Sequence, residues 1–233
     1  MADRPGPSYG TPNFEMLGRW MQLDATEDGP FWALNLMKYH AVAQYADGRP
    51  GVSGQEADDA YAPLAPLAAI GAVPAFLGEV LDQRLGEPTW DRVGIVRYPS
   101  RAAFFAMQQR DDFKVQHVHK EAGMEFTIVM ACLPERYAPN ASDAGTLVLV
   151  VDRGGGSLEA VDGASSVASF AVEGVIVGDQ RSFDRARFFR VTDDSVVEAL
   201  VQAAATADDA HVLVLAPRVD CLVATLVESA PEL

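Results

Sequence analysis

The sequence predicts an α+β protein in which two ferredoxin-like βαββαβ repeats pair within one chain as an α/β barrel. Between residues 31 and 133 the predicted order is strand, helix, two strands, helix and strand. A weaker series with the same order follows from residue 146. The strands are apolar on both faces. The helices cover one face of each sheet, so the other, open face must also be buried. Pairing the two open faces predicts a barrel with a cavity at one or both ends.

The chain divides at a segment that is rich in turn-forming residues and poor in apolar ones, PERYAPNASDAG. We expect this segment to link the two repeats and a short N-terminal region to precede them. The predicted divisions are an N-terminal tail and short helix at 1–27, the first repeat at 28–133, the linker at 134–145 and a degenerate second repeat at 146–233.

Local patterns predict the elements of the first half. The N-terminal region is predicted as a flexible tail at 1–13, then a short helix whose apolar residues have helical spacing. Ser53-Gly54-Gln55-Glu56 is a capping-box pattern that starts a helix, which Pro63 and Pro66 should interrupt. Pro99-Ser100 starts the next helix, expected to continue, with a break, to about Lys120. Strands are predicted at 31–39, 75–85, 91–98 and 125–133.

The second half repeats this order less clearly. Asp91–Arg97 aligns with Asp184–Arg190, matching the Asp, both Arg and the apolar positions, and Phe76–Glu79 aligns upstream with Phe170–Glu173. We interpret the match as an internal duplication, the alternative being chance similarity between strands of like composition. The predicted elements are strands at 146–151, 167–177, 185–191 and 221–228 and helices at 158–166 and 195–207.

Composition excludes several classes of protein. The 233 residues are 49% hydrophobic with a formal net charge of −15, which fits a folded protein and disfavours nucleic acid as a partner. Cys132 and Cys221 both lie in apolar runs and are expected to be buried thiols, with no disulfide framework or zinc-ligand spacing. No signal peptide and no apolar run long enough for a membrane span is evident, so a cytoplasmic location is expected.

Three segments of the first half resemble one family. They are GPFWALNLMKYHAVAQYADGRPGVSGQEADDAY from Gly29, WDRVGIVRYPSRAAFFAM from Trp90 and HVHKEAG from His117. Over about residues 28–133 they resemble the DUF1330 family of the dimeric α/β-barrel superfamily. The resemblance implies a fold more than a function, because the superfamily includes cofactor-free monooxygenases, polyketide cyclases, isomerases, haem-degrading enzymes and non-catalytic binding proteins. The His-Arg pattern of the family falls on His119-Lys120.

His117 and His119 are the candidate catalytic residues, because histidine is the usual general base near neutral pH. They share a face in an extended segment and diverge by about 200° on a helix. The alternative is a pair of surface histidines. Together with Glu121 the two histidines could ligate a divalent ion, but this pattern is a weak signal for metal binding, and no metal is predicted.

Polar and aromatic residues of the first half are candidates for substrate binding. Asn35 interrupts an apolar strand and could orient a ligand carbonyl or bind backbone. Lys38 is expected at the strand end, where a salt bridge to a helix carboxylate is the alternative. Tyr39, Tyr61 and Trp90 could line a pocket or fill the core.

Arg97, at the end of an apolar strand, completes the candidate binding residues. It could hold an anionic ligand or stabilise an enolate. Since Arg190 matches it in the second half, a structural ion pair with Glu79, and with Glu173 in the second repeat, is the favoured alternative.

Only the first repeat carries these polar groups, so we expect any site to be built mainly from it. The second half has Val and Leu in their approximate places, with Ala216-Pro217 near the position of His119-Lys120.

Two functions stay open. The first is a small-molecule enzyme without a tightly bound organic cofactor, a cyclase, isomerase or monooxygenase acting by histidine acid–base chemistry on an aromatic or polyketide-like substrate, as in natural product biosynthesis. The second is a non-catalytic ligand-binding or assembly protein. Haem binding is disfavoured, no membrane partner is expected, and a homodimer stays open.

Overall fold

The computed structural model of the chain describes residues 7–49, 51–156, 158 and 160–229. The strands are β1 (Thr11–Pro12), β2 (Phe31–Tyr39), β3 (Val73–Leu85), β4 (Arg92–Tyr98), β5 (Met124–Tyr137), β6 (Thr146–Arg153), β7 (Ala164–Gly178), β8 (Arg185–Val191) and β9 (Asp208–Asp220). The helices are α1 (Phe14–Trp20), α2 (Gly54–Ala60), α3 (Leu64–Ala69), α4 (Arg101–Gln109), α5 (Asp111–Gly123), α6 (Asp194–Ala204) and α7 (Leu222–Ser229). None of the helices in these ranges is both long and apolar enough to cross a bilayer.

Eight antiparallel strands close into a barrel, which confirms the predicted fold class. The first repeat contributes the order β5-β2-β4-β3 and the second contributes β9-β6-β8-β7. The repeats join along β3–β9 and β5–β7, while β7–β8 is a pairing within the second repeat. Since the barrel is closed, none of these eight strands is left with an unpaired edge.

The barrel interior is a packed core. Trp32, Leu34 and Leu36 of β2 point inward and meet Phe170 and Phe188 of the second repeat. Large side chains therefore fill the interior, and the cavity expected at one or both ends of the barrel stays a prediction. The alternate residues of β2, including Phe31 and Ala33, face outward beneath the helices.

The internal repeat is visible in matching backbone hydrogen bonds. Asp91 N donates to Met37 O and Asp184 N donates to Asp152 O, each at 2.8 Å. These bonds support the alignment of Asp91–Arg97 with Asp184–Arg190. The upstream alignment is wrong by two residues, because Arg92 pairs across the ladder with Glu79, while its counterpart Arg185 pairs with Ala171 rather than Glu173.

Several predicted elements of the first half are confirmed. The strand at 31–39 has the predicted bounds, and Ser53 and Glu56 form the reciprocal bonds of a capping box. The helix breaks before Pro63, giving α2 and α3. Ser100 caps α4 through its side chain. Strand β5 continues to Tyr137, so that the first four residues of the predicted linker are strand.

Four predictions outside the central part of the first repeat are wrong. The closing strand of the second repeat is β9, whereas 221–228, predicted as that strand, belongs largely to helix α7. The helix predicted at 158–166 is not formed in its described residues, where turns lead into β7. The predicted tail is ordered from Pro7, since Tyr9 is buried and β1 pairs with β7; residues 1–6 lie outside the described part. Cys132 is buried as expected, but Cys221 is exposed.

Candidate functional site

A cavity of about 690 Å³ lies between the outer face of the first repeat's sheet and the helices that cover it. Its floor comes from alternate residues of β2, β4 and β5, and its roof from α2 to α5. Residues of the N-terminal segment and of β7 and β9 close its sides, so the second repeat completes a site built on the first. Those second-repeat residues are Ile176, Val177 and Val219.

Asn35 is the polar residue at the centre of the cavity floor. In the sheet it lies between Gly94 of β4 and Val129 of β5. Its side-chain NH₂ donates to the carbonyl of Ala33 at 3.0 Å, which orients the amide oxygen toward Lys120. Asn35 thus lines the cavity and also bonds backbone, one of the two roles expected for it, while its role in orienting a ligand carbonyl stays a prediction.

Lys120 of α5 extends into the cavity and donates to Asn35 Oδ1 at 3.3 Å. Its Nζ lies 5.6 Å from the ring centre of Tyr9 and 5.7 Å from that of Tyr61, in the range of cation–π contacts. Among the residues that the structure describes, no carboxylate lies within ion-pair distance of this amine. Burial lowers the pKa of the Lys120 amine, and the more distant carboxylates of Asp58 and Glu121 oppose that shift.

His117 lies one turn before Lys120 on the same face of α5. Its Nε2 is 3.1 Å from the Tyr9 hydroxyl and 3.4 Å from Glu121 Oε1. The imidazole ring also packs against Phe113, with ring centres 5.2 Å apart. One ring nitrogen thus has a hydroxyl and a carboxylate within reach, an arrangement that can hold or pass on a proton.

A buried charge network borders the cavity at the α2 end. Arg92, whose side chain is 1% exposed, donates to Asp58 and Glu79, and Asp59 also lies 2.9 Å away. Asp58 also accepts from the Tyr39 hydroxyl at 2.6 Å. Because Asp58 is bound by a guanidinium and a phenol, its negative charge is compensated, and its carboxylate is not available as a general base in the cavity.

His119 is not in the cavity. On α5 it points away from His117, and its Nδ1 is 2.7 Å from the hydroxyl of Tyr45 in the loop after β2. Its placement in the predicted catalytic pair is therefore not supported by position, while His117 does line the cavity. The divergence follows from the helical conformation of 111–123.

The other predicted binding residues separate into two groups. Tyr61 lines the cavity, and Tyr39 lies beside it in the Asp58 network. Lys38 lies elsewhere and donates to Thr89, a residue of the β3–β4 connection, rather than to a helix carboxylate. Trp90 is 3% exposed and stacks on Phe126 as part of the core.

Arg97 also lies outside the cavity and donates to Ser229 of α7 at 3.1 Å. Glu79, its expected partner, instead pairs with Arg92 and Arg218. In the second repeat, Arg190 pairs with Asp220, and Glu173 pairs with Arg101. The predicted ion pairs with Glu79 and Glu173 are therefore wrong, because the two glutamates lie at different register positions from the one assumed.

Sequence reasoning missed Tyr9, Lys120 and Asp58 as site residues. Tyr9 fell in the predicted tail, and Lys120 was noted only where the family has arginine. The helical spacing of His117 and Lys120, i and i+3, was a usable signal that these two side chains share a face. In the described ranges, no group of three His, Cys, Asp or Glu side chains is arranged to hold a metal ion.

In the second repeat, the described residues at the corresponding place are packed together differently. At the register positions of Asn35, Gly94 and Val129 it has Val150, Arg187 and Val212. Arg187 and Asp152 form a buried ion pair there, and α6 packs apolar residues over the sheet. The predicted loss of polar groups is seen at Val150, which takes the place of Asn35. Ala216-Pro217 was expected near the position of His119-Lys120 on α5, but it lies in strand β9, and helix α6 takes the place of α5.

Gly94 leaves open the space that Arg187 fills in the other repeat. A Cβ built on Gly94 would lie 3.1 Å from Met37 Cε and 3.6 Å from Leu77 Cδ1, both ends of flexible side chains. We expect Gly94→Leu to fold and to obstruct the cavity beside Asn35, with a loss of ligand affinity of about tenfold or more. Calorimetric titration would measure this with phenylacetone, a small aromatic ketone chosen because aromatic side chains line the cavity, and Gly94→Ala is the control that keeps binding. Equal affinity of Gly94→Leu and the native protein would contradict the placement of the site.

Comparison with known proteins gives a limited result. No family model matches the chain, so the resemblance to DUF1330 stays a prediction, and no curated protein matches it. RPA0582, a Rhodopseudomonas palustris protein of unknown function, is similar in structure at 26% identity, with 56% of this chain and 98% of that chain covered and a TM-score of 0.48. A mutant chlorite dismutase from Candidatus Nitrospira defluvii is similar at 8% identity, with 82% and 92% covered and a TM-score of 0.45. The assignment of this chain to a ferredoxin-like α/β barrel rests on its own strand order and register.

Proposed function

We propose that the first-repeat cavity binds an apolar, enolisable carbonyl compound and catalyses proton transfer on it without a tightly bound organic cofactor. The observation that carries the proposal is Lys120, a cation without a carboxylate partner among the described residues, directed into a cavity that also holds His117 and Asn35. Abstraction of an acidic proton is the step shared by cyclisation, isomerisation and cofactor-independent oxygenation of aromatic or polyketide-like substrates.

The polarity of the cavity supports a mostly apolar ligand with one oxygen-bearing end. Phe104, Phe105, Phe113 and Tyr61 line it, so an aromatic ring would be well accommodated. The Lys120 amine is the donor available to a ligand oxygen, and Asn35 holds it in place. A cation in an apolar environment stabilises negative charge that develops on a carbonyl oxygen during enolisation.

Tyr9 and His117 are the proposed proton-transfer pair. Burial raises the pKa of Tyr9, so this phenol stays protonated and acts as a donor or a relay. His117 accepts the proton, and the Glu121 carboxylate 3.4 Å away stabilises the resulting imidazolium. Glu121 is itself held by the Ser8 hydroxyl at 2.9 Å, which fixes the geometry of the pair.

We expect the native protein to accelerate exchange of the α-carbon protons of phenylacetone for deuterium in D₂O at neutral pH. Lys120→Met keeps the length of the side chain and removes its charge, so it should lower the exchange rate by about two orders of magnitude, the usual contribution of one electrostatic donor. The measurement is the decay of the α-proton signals in a proton NMR spectrum.

His119→Ala is the matched control, because His119 lies on the same helix but does not line the cavity and bonds Tyr45 instead. It should exchange phenylacetone protons at the native rate. Exchange at the buffer rate with the native protein, or an unchanged rate in Lys120→Met, would contradict the proposal. Stabilisation of the native protein by phenylacetone without any exchange would instead favour a non-catalytic binding protein.

A further inference from the structure

We propose that Lys120 bonds covalently to the carbonyl carbon of its ligand, so that the substrates are aldehydes and unhindered ketones held as an imine. This inference rests on the proposed function and narrows the substrate class of the same cavity. It is drawn from the position of the amine, which is fixed by Asn35, flanked by two tyrosine rings and directed at the cavity rather than at a carboxylate.

The surroundings of Lys120 favour a nucleophilic amine. An ammonium group in an ion pair is held protonated by its carboxylate, but the neighbour of Lys120 Nζ is the neutral amide of Asn35 at 3.3 Å. Asp58, a buried carboxylate of the cavity wall, is bound to Arg92 and Tyr39. Burial lowers the pKa of the amine, which increases the fraction of Lys120 that carries a free electron pair at neutral pH.

The bond-forming step balances without any oxidant or reductant. The Nζ electron pair attacks the carbonyl carbon, the oxygen becomes a hydroxyl group, and the nitrogen gives up a proton to form a carbinolamine. The hydroxyl then takes up a proton, the C–O bond breaks with its electron pair, and one water leaves as the C=N bond of a protonated imine forms. The positive nitrogen makes the adjacent C–H more acidic than in the free ketone.

Tyr9 and His117 are placed to handle these protons. The Tyr9 ring lies 5.6 Å from Lys120 Nζ, and its hydroxyl is 3.1 Å from His117 Nε2. His117 is one helical turn from Lys120, so the proton lost by the amine and the proton gained by the departing hydroxyl can pass through one hydroxyl–imidazole pair. Both residues act through proton transfer and form no covalent bond with the ligand.

The lysine content of the chain provides built-in controls. The sequence has three lysines, Lys38, Lys114 and Lys120. Lys38 bonds Thr89, and Lys114 forms an exposed ion pair with Asp111. Lys38 does not line the cavity, so it reports the reactivity of an ordinary lysine in the same protein and in the same reaction tube. Lys114 lines the cavity with Lys120, so it tests whether reactivity belongs to the position of Lys120 or to the cavity as a whole.

The experiment treats the native protein with phenylacetone and sodium cyanoborohydride at neutral pH, then maps the modified peptides by mass spectrometry. The hydride reduces an imine to a stable secondary amine, which adds the mass of the probe less one oxygen atom. We expect modification at Lys120 to exceed that at Lys38 by about tenfold or more, because Lys120 is buried in the cavity beside a neutral amide and burial lowers the pKa of its amine. Modification spread equally over the three lysines would overturn the inference.

Lys120→Arg separates the covalent role from a purely electrostatic one, because arginine keeps the charge and forms no imine under these conditions. Loss of proton exchange in Lys120→Arg, together with trapping at Lys120 in the native protein, supports the imine. Retained exchange in Lys120→Arg without trapping in the native protein overturns the imine and leaves the proposed function standing. If the native protein neither exchanges the α-protons of phenylacetone nor is modified by it, both the imine and the proposed function are contradicted.

Discussion

Replacing Arg92 by methionine is expected to lower the free energy of unfolding by about 3–5 kcal/mol, because it leaves the Asp58 carboxylate buried without its counter-charge. Arg92 is 1% exposed and lies 2.9 Å from each of Asp58, Asp59 and Glu79. Methionine fills part of the volume but donates no hydrogen bond. Equilibrium unfolding in urea, monitored by circular dichroism, measures the difference.

Arg218→Met is the matched control, since Arg218 pairs with two of the same acids from the surface. Its guanidinium lies 2.9 Å from Asp59 and 3.4 Å from Glu79, with a side chain that is 48% exposed. An exposed ion pair contributes about 1 kcal/mol or less, so this variant should unfold near the native midpoint. Equal losses in the two variants would show that the burial of Arg92 and Asp58 has no energetic consequence.

The parts of the fold that could be predicted are those where one apolar pattern fits one element. Phe31–Tyr39 is apolar on both faces and too short for a buried helix, so its bounds were predicted as observed. The segment around Leu222–Ser229 is also apolar all round, and its helix is set by packing that the sequence does not state. Strand β9 was missed because Pro217 and charged residues interrupt its pattern, although a register shift beside Gly78 accommodates the proline.

The site was less predictable than the fold, because it depends on which face of the sheet stays open. Asn35 is visible in the sequence as the polar residue that interrupts an apolar strand, but this does not state which face of the sheet holds the cavity. That the helix face, and not the barrel interior, holds the cavity depends on long-range contacts such as those of Trp32 with Phe170. The helical divergence of His117 and His119 shows that at most one faces a given surface, but the choice between them is made by tertiary packing.

The free energy of unfolding is expected to fall by roughly 3 kcal/mol as the pH is lowered from about 6.5 to about 4, through His211 alone. Burial, with the nearby Arg181 cation, lowers the pKa of His211 to about 4, while Asp209 and Asp179 oppose the shift. Since the unfolded chain titrates with an ordinary histidine pKa, it binds a proton in this window that the folded protein does not bind. The stability is complete above the unfolded pKa and is lost as the pH falls toward the folded one.

The hydrogen bond of His211 also predicts that the free energy of unfolding falls as the pH is lowered. The Trp90 indole donates to His211 Nδ1 at 3.3 Å, so this nitrogen is an acceptor in the folded protein, and protonating it removes the bond. His211→Gln keeps an acceptor and does not titrate, so its urea-unfolding free energy should change less between pH 6.5 and 4 than that of the native protein. Parallel slopes for the native protein and His211→Gln would mean that His211 is protonated in the folded barrel, and that the contact with Trp90 does not hold it neutral.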